Sequence, residues 1–323
     1  MRLQFSLIIL TLFIPFTNQA KTDQDYLLYH QKVIEAESLI VDQSYQAALA
    51  VYEKLFEDYD FVFLREYQVA SQLAIHLGKG AEALPIVEQG ILGGWTLKAM
   101  KKNTYLANKW DRKSWKIILE RYPILRAQYE SQLNQPLKGQ LKKMFAKDQR
   151  KAFSVFIRLG SKAKEHYAER KFVPHSIEQM RLLNEILLRY GYPGERLIGP
   201  NYWTSTVLSH HNSISPDFNQ KDLLYPAMKP LLKDALRTGY LAPSEWALID
   251  EWYRICTQTS DQAEYGLIKQ ALPEEKDHIN QLRAALYLRN VELRNQLIDV
   301  EQATGMNFYL PKGWVSGKIA ANS

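Results

Sequence analysis

From residue 26 onward, apolar residues recur every three or four positions over long stretches, the period of an amphipathic helix with one buried face. The first such stretch covers 26–41, and a second runs through Ser44, Ala48, Leu49, Val51 and Leu55. A third carries Val69, Ala70 and Ala74, turns at Leu77-Gly78-Lys79-Gly80, and leads into a fourth with Ala83, Leu84, Ile86 and Val87. Gly93-Gly94-Trp95 interrupts the pattern, and two short helical stretches follow at 97–108 and 114–119, before Tyr122-Pro123. A long helix without proline is predicted from Leu137 to about residue 170, its stripe running Leu137, Leu141, Met144/Phe145, Ala152/Phe153 and Leu159. Further helices are predicted at 176–190, 201–211, 220–237, 244–258 and 274–303, punctuated by Gly191-Tyr192-Pro193-Gly194, Ser215-Pro216, Gly239 and Leu272-Pro273. Strand-like alternation with turn signals is missing, so the pattern predicts an all-α fold. After residue 305, Pro311, Gly313 and Gly317 predict a flexible tail over 306–323.

Ala48-Leu49 and Ala83-Leu84 stand 35 residues apart, each pair followed by further apolar positions and preceded by a partner helix. With small residues at the points of close helix approach, residues 21–92 resemble two tetratricopeptide-like hairpins. The resemblance implies a concave face that engages a peptide or a helix of a protein partner. Two hairpins are near the lower limit for such a stack, so they should pack on the helices C-terminal to them. The division that results is a leader at 1–20, hairpins at 21–92, a basic helical linker at 93–136, a helical domain at 137–305 and the tail at 306–323.

The first residues change the destination of the chain. Met1-Arg2-Leu3-Gln4 carries one positive charge, residues 5–16 are apolar, and Thr17-Asn18-Gln19-Ala20 is polar, which is the order of a secretory signal with cleavage after Ala20. The apolar run is shorter than the roughly 20 residues a transmembrane helix needs, so the sequence predicts an exported, periplasmic or secreted protein without a transmembrane anchor. The net charge of +6 is unevenly placed: residues 21–94 sum to −7 and residues 95–151 to +11. These blocks suit attraction within the molecule, self-association, or an acidic envelope partner for 95–151. Aromatics within the basic block (Trp95, Tyr105, Trp110, Trp115, Tyr122) are the mixture of a nucleic-acid surface, but export argues against nucleic acid as the partner. Cys256 is the single cysteine, which excludes an intramolecular disulfide framework and any zinc site built from several thiolates.

Candidate chemistry comes from polar residues on apolar stripes. Asp148 and Gln149 follow Phe145 by three and four residues, where the helix should present its next core position. His210 and His211 continue the stripe Trp203–Val207, and Asp250 falls between Trp246 and Tyr253 in the same way. A buried carboxylate needs a partner, and a contact between Asp148 and His210 or His211 is the economical choice. Such a pair is either half of a general-base unit or a satisfied polar contact fixing helix register, and two histidines with Asp250 could hold a metal. No activated serine or cysteine motif, His-Glu-x-x-His or phosphate-cradling glycine loop accompanies them.

The succession Met144-Phe145-Ala146-Lys147-Asp148-Gln149, Asn184, Gly191-Tyr192-Pro193, Leu197-Ile198-Gly199, Val207 to His211, Leu248-Ile249-Asp250 and Tyr265-Gly266 resembles an uncharacterised bacterial domain over about 137–270. That family shows Asp-Gln, Gly-Trp/Tyr-Pro, Val-Gly, Gln-His, Asp-Arg and Tyr-Gly-Thr-Gln in this order, often after tetratricopeptide-like repeats. The resemblance brings no established activity. It implies an architecture and a set of positions only; the polar residues on the apolar stripes make Asp148, His210, His211 and Asp250 the candidate catalytic residues, with Gln149 and Tyr265 as candidate ligand contacts. This chain departs from it at Ser209, at Glu251 in place of Arg, and at Leu267-Ile268 in place of Thr-Gln. Two functions are consistent with these residues: an exported helical binding or scaffold protein whose hairpins engage a protein or peptide, or a hydrolase-like or metal-dependent enzyme centred on the Asp/His residues.

Overall fold

The computed structural model describes residues 25–257, 262–311, 313–315 and 317–320; the leader assigned to 1–20 lies outside them. The described chain is all-α, with no strand among these residues. Helices α1 (Tyr26–Val41) and α2 (Tyr45–Asp58) form one hairpin, α3 (Leu64–His76) and α4 (Gly80–Leu92) a second. Both hairpins turn alike. The amide of Ser44 bonds the carbonyl of Leu39 (2.8 Å), and that of Lys79 bonds Ala74 (2.9 Å), the same closure 35 positions later. Gln43 (φ 57°) and Gly78 (φ 74°) occupy the equivalent left-handed position just past the first helix. Ala48 and Ala83, fully buried, allow the helices within each hairpin to approach closely.

Short helices α5 (Leu97–Lys102) and α6 (Thr104–Lys109) lead to α7 (Arg112–Gln132), which lies along α4. The sequence predicts a stop at Tyr122-Pro123, but α7 continues through Pro123. The cost there is one backbone bond near the exposed Leu119, where water can serve the freed carbonyl. Acidic hairpin and basic segment meet here, Arg121 pairing with Glu88 at 2.6 Å on the surface.

The predicted helix over 137–170 is divided. α8 (Gln135–Phe156) ends before Gly160, whose φ of 85° turns the chain, and α9 (Ser161–Tyr167) then passes through a π-helical turn at Ala168–Phe172 into α10 (Val173–Tyr190). α11 (Glu195–Ile198), α12 (Trp203–His211), α13 (Pro216–Lys221), α14 (Leu224–Arg237) and α15 (Pro243–Thr257) come next. The predicted 274–303 helix is likewise two, α16 (Lys276–Ala285) and α17 (Val291–Thr304). Tyr287 (φ 55°) closes the first, and the Asn290 side chain caps the second by accepting from Leu293 N at 2.8 Å.

Two large apolar clusters result. One joins the hairpins with α5 to α7, and the other is built from α8, α10, α12, α14 and α15. They are bound together by a buried ion cluster: Glu37 on α1, fully buried, accepts from Arg65 (2.5 Å) on α3 and from Arg289 (2.5 and 2.6 Å) just before α17. Gly239 (φ 75°) seals the same seam. A β-carbon there would lie 2.5 Å from the Tyr26 ring.

The tail departs from the flexible segment expected of its prolines and glycines. α17 packs on α1, and residues 306–310 cross α3 with Met306, Phe308 and Leu310 buried in the hairpin core, the chain turning through a left-handed Tyr309 (φ 50°). Gln72 clasps the backbone of Asn307 at two points, donating to its carbonyl (2.8 Å) and accepting from its amide (2.9 Å), while Arg65 Nε donates to Phe308 O at 3.0 Å. The α1/α3 face of the hairpins is thus covered by the chain itself.

Candidate functional site

α8 turns Leu141, Met144 and Asp148 toward α12, and α12 returns Val207, Leu208 and His211 to the core while His210 stays at its edge. Asp148, 1% exposed, hydrogen-bonds His210 Nδ1 through Oδ2; the imidazole is 28% exposed. No described residue hydrogen-bonds His210 Nε2. A buried carboxylate thereby fixes one ring nitrogen and leaves the other free to meet a bound molecule.

His210 lines a cleft of about 540 Å³ between α8, the π-helical turn, α12 and α15. Its walls are mostly apolar, with Val155, Phe172, Leu248 and Trp252 among them. A polar seam runs along α12 and just past its end, where Ser205, Thr206 and Ser213 donate back to backbone carbonyls (3.2, 2.6 and 2.6 Å), and Ser205 and Thr206 keep oxygen lone pairs for a ligand. Trp252 Nε1 is held by Ser209 O (3.1 Å) and Ser213 Oγ (2.8 Å), and its ring meets Trp314 edge-on at 4.8 Å.

The cleft also holds an acid that sequence reasoning misses. Glu245 lines it and accepts from Tyr192 OH at 2.6 Å. Burial pushes its carboxyl above the usual carboxylate range, and the hydrogen bond from Tyr192 only partly opposes this. At the first turn of α15, Glu245 reads in the sequence as an ordinary helix-start acid, and only the fold shows what it faces.

The other candidates do not join this group. His211, 1% exposed, accepts or donates at Nδ1 with Ser176 Oγ (2.8 Å), and its Nε2 lies 3.1 Å from Asp222 Oδ2, too oblique for a good hydrogen bond. This is a Ser-His-Asp line with the nitrogens reversed from the usual nucleophile arrangement. Ser176 is 2% exposed, so the line is closed to substrate and acts as a buried tie between α10, α12 and α14. Burial disfavours the charge on Asp222, but the approach of His211 together with the backbone amides of Tyr225 and Leu224 outweighs it and holds the carboxyl low.

Asp250 belongs to a separate ion cluster. It accepts from Lys229 Nζ (2.8 Å), Arg254 Nε (2.8 Å) and Tyr265 OH (3.2 Å). Burial raises its carboxyl, yet the two cations more than reverse that, so it stays ionised below the ordinary aspartate range. Tyr265 is a buried member of this cluster, and Gln149 is half-buried on α8 outside the cleft lining. Among the described residues no three His, Cys, Asp or Glu side chains converge as ligands of one metal ion. Cys256 is half-buried and its thiol is pushed up to about 11 by burial, which leaves it unreactive at neutral pH.

Among the described residues no helix is long and apolar enough to cross a membrane. Comparison with protein-family descriptions, with curated proteins and with solved structures finds nothing that matches the chain.

Proposed function

We propose that the protein binds a small, largely apolar molecule in the cleft between α8, α12 and α15 and performs acid–base chemistry on it through His210, oriented by Asp148. The observation that carries this is the division of the imidazole, with Nδ1 held by a buried carboxylate and Nε2 open beside apolar walls. Oriented in this way, a neutral imidazole accepts a proton from water or from the bound molecule, and hydrolysis by activated water is the simplest use. Glu245, kept protonated more readily than an ordinary glutamate, is placed to donate one. The hairpins act as scaffold, and the leader directs the protein out of the cytoplasm.

The test is turnover of a series of p-nitrophenyl esters of increasing acyl length by wild type, His210→Gln and Asp148→Asn, with helicity checked by circular dichroism. Turnover that rises with acyl length, and falls by about 100-fold or more in His210→Gln, is expected. Wild type no faster than the folded variants would overturn the proposal.

One observation favours a second reading, in which the hairpins engage a protein or peptide. Gln72 grips the backbone of Asn307 rather than its side chain, so the same clasp fits any extended segment. Deleting residues 306–323 should then let a synthetic peptide covering 304–311 bind in trans; no binding to the folded truncated chain removes this reading.

A further inference from the structure

We infer that the turn between α8 and α9 is a docking surface for an anionic lipid bilayer. Every residue from 157 to 166 is exposed, so this turn projects from the body of the protein. Large apolar side chains sit on it without cover: Phe153 is 64% exposed, Ile157 62% and Leu159 93%. Isolated exposed leucines are ordinary, but a contiguous apolar tip is not. Trp314, 72% exposed, stands at the rim of the cleft whose wall is formed by Ala152 and Val155 of the same α8 end. Tryptophan at such a rim is the residue type that settles at the headgroup level of a membrane.

Charge identifies the occupant. Residues 147–171 hold eight Lys or Arg against three Asp or Glu, and Asp148, one of those three acids, is turned inward to His210. Lys147, Arg150, Arg158, Lys162, Lys164 and Arg170 are all exposed around the apolar tip. Cations flanking apolar residues match a layer of acyl chains beneath anionic headgroups. The convex shape separates a bilayer from an acidic protein. A protruding tip inserts into a deformable interface as it stands, whereas a protein would have to supply a matching socket. Attachment of this kind is superficial and needs no spanning helix.

The experiment is co-sedimentation of the chain without its leader-like segment (residues 21–323) with vesicles of phosphatidylcholine alone or with about 30% phosphatidylglycerol, at about 0.1 M and 0.5 M salt. Binding to the anionic vesicles at low salt, at least tenfold weaker to the neutral ones and weakened by salt, is expected. Ile157→Ser with Leu159→Ser, and separately Lys162→Glu with Lys164→Glu, should each reduce it at least tenfold. These residues are exposed, so the variants keep the fold. Lys101→Glu with Lys102→Glu, on the exposed side of α5, should leave binding unchanged, which separates this patch from the general basicity of the chain. Binding equal in all variants, or no vesicle binding, overturns the inference. So does self-association abolished by the tip substitutions, which gives the patch to a second copy, or retention on poly-glutamate without vesicle binding, which gives it to an acidic protein.

Discussion

Replacing Glu37 by Gln removes the one negative charge shared by Arg65 and Arg289. Glu37 is fully buried, and the side chains of its partners are only 17% and 9% exposed, so water cannot take over the two guanidinium groups. An amide in its place keeps the shape and can still accept one hydrogen bond, but no longer offsets either charge. Breaking a buried pair on one side typically costs about 3–5 kcal/mol. For a chain of this size, with an unfolding entropy of roughly 0.6 kcal/mol/K, that corresponds to a fall in melting temperature of roughly 5–8 °C. Thermal unfolding followed by circular dichroism measures it, with Glu35→Gln as control. Glu35 pairs with Lys32 at 2.6 Å on the surface, where a salt bridge contributes only about 0–1 kcal/mol. Converting Glu37, Arg65 and Arg289 together to Met, with the buried Glu66 that also pairs with Arg65 (3.5 Å) changed to Gln, should recover part of the loss, since no uncompensated charge of the cluster is left behind. If Glu37→Gln melts within about 2 °C of wild type, or no lower than Glu35→Gln, the cluster is not what joins the hairpins to the rest.

Glu195 gives a pH signature. Burial raises its carboxyl to about 8, although Leu64 N donates to it. The folded state therefore holds a proton that the unfolded chain has already released, and stability declines as pH rises from about 4.5 toward 8. Glu195→Gln should flatten that decline and be more stabilising at pH 8 than at pH 5, by at least about 1 kcal/mol in urea unfolding; an unchanged slope refutes it. Gln43→Gly, at an exposed left-handed position whose counterpart is Gly78, should stabilise by about 0.5 kcal/mol, and a lower melting temperature contradicts it. Gln72→Ala leaves the Asn307 backbone unsatisfied, costs about 1–3 kcal/mol, and should hasten proteolytic cleavage within 306–320; cleavage at the wild-type rate argues against the clasp.

Legibility in the sequence tracks the range of the forces. The hairpins are readable because their signals are local: apolar spacing, small alanines and a turn that repeats after 35 residues. Asp148 and His210 are readable because a polar residue on an apolar stripe must find a partner, and here each finds the other. His211 and Asp250 show the limit of that logic. The stripe announces that they are buried, but their partners Ser176, Asp222 and Lys229 lie on other elements, and pairing across elements leaves no local mark; only Arg254, four residues after Asp250 on the same helix, stands at a spacing the sequence shows. Two helix breaks escape the apolar pattern because Gly160 and Tyr287 interrupt the backbone without interrupting its rhythm. In the tail, proline and glycine suggest looseness, yet alternate apolar residues at Met306, Phe308 and Leu310 fill a groove that exists only once the hairpins have formed.

The central claim is that His210 alone among the buried-face histidines offers a nitrogen to the cleft. Carbethoxylation of the folded protein with diethyl pyrocarbonate, read peptide by peptide by mass spectrometry, tests it most directly. His30, His175 and His211 are 5%, 8% and 1% exposed and should stay unmodified, whereas His210 should react, and filling the cleft with anilinonaphthalenesulfonate should protect it without protecting the surface His166. Reaction of His210 no faster than His211, or reaction that the apolar probe leaves unchanged, contradicts the account.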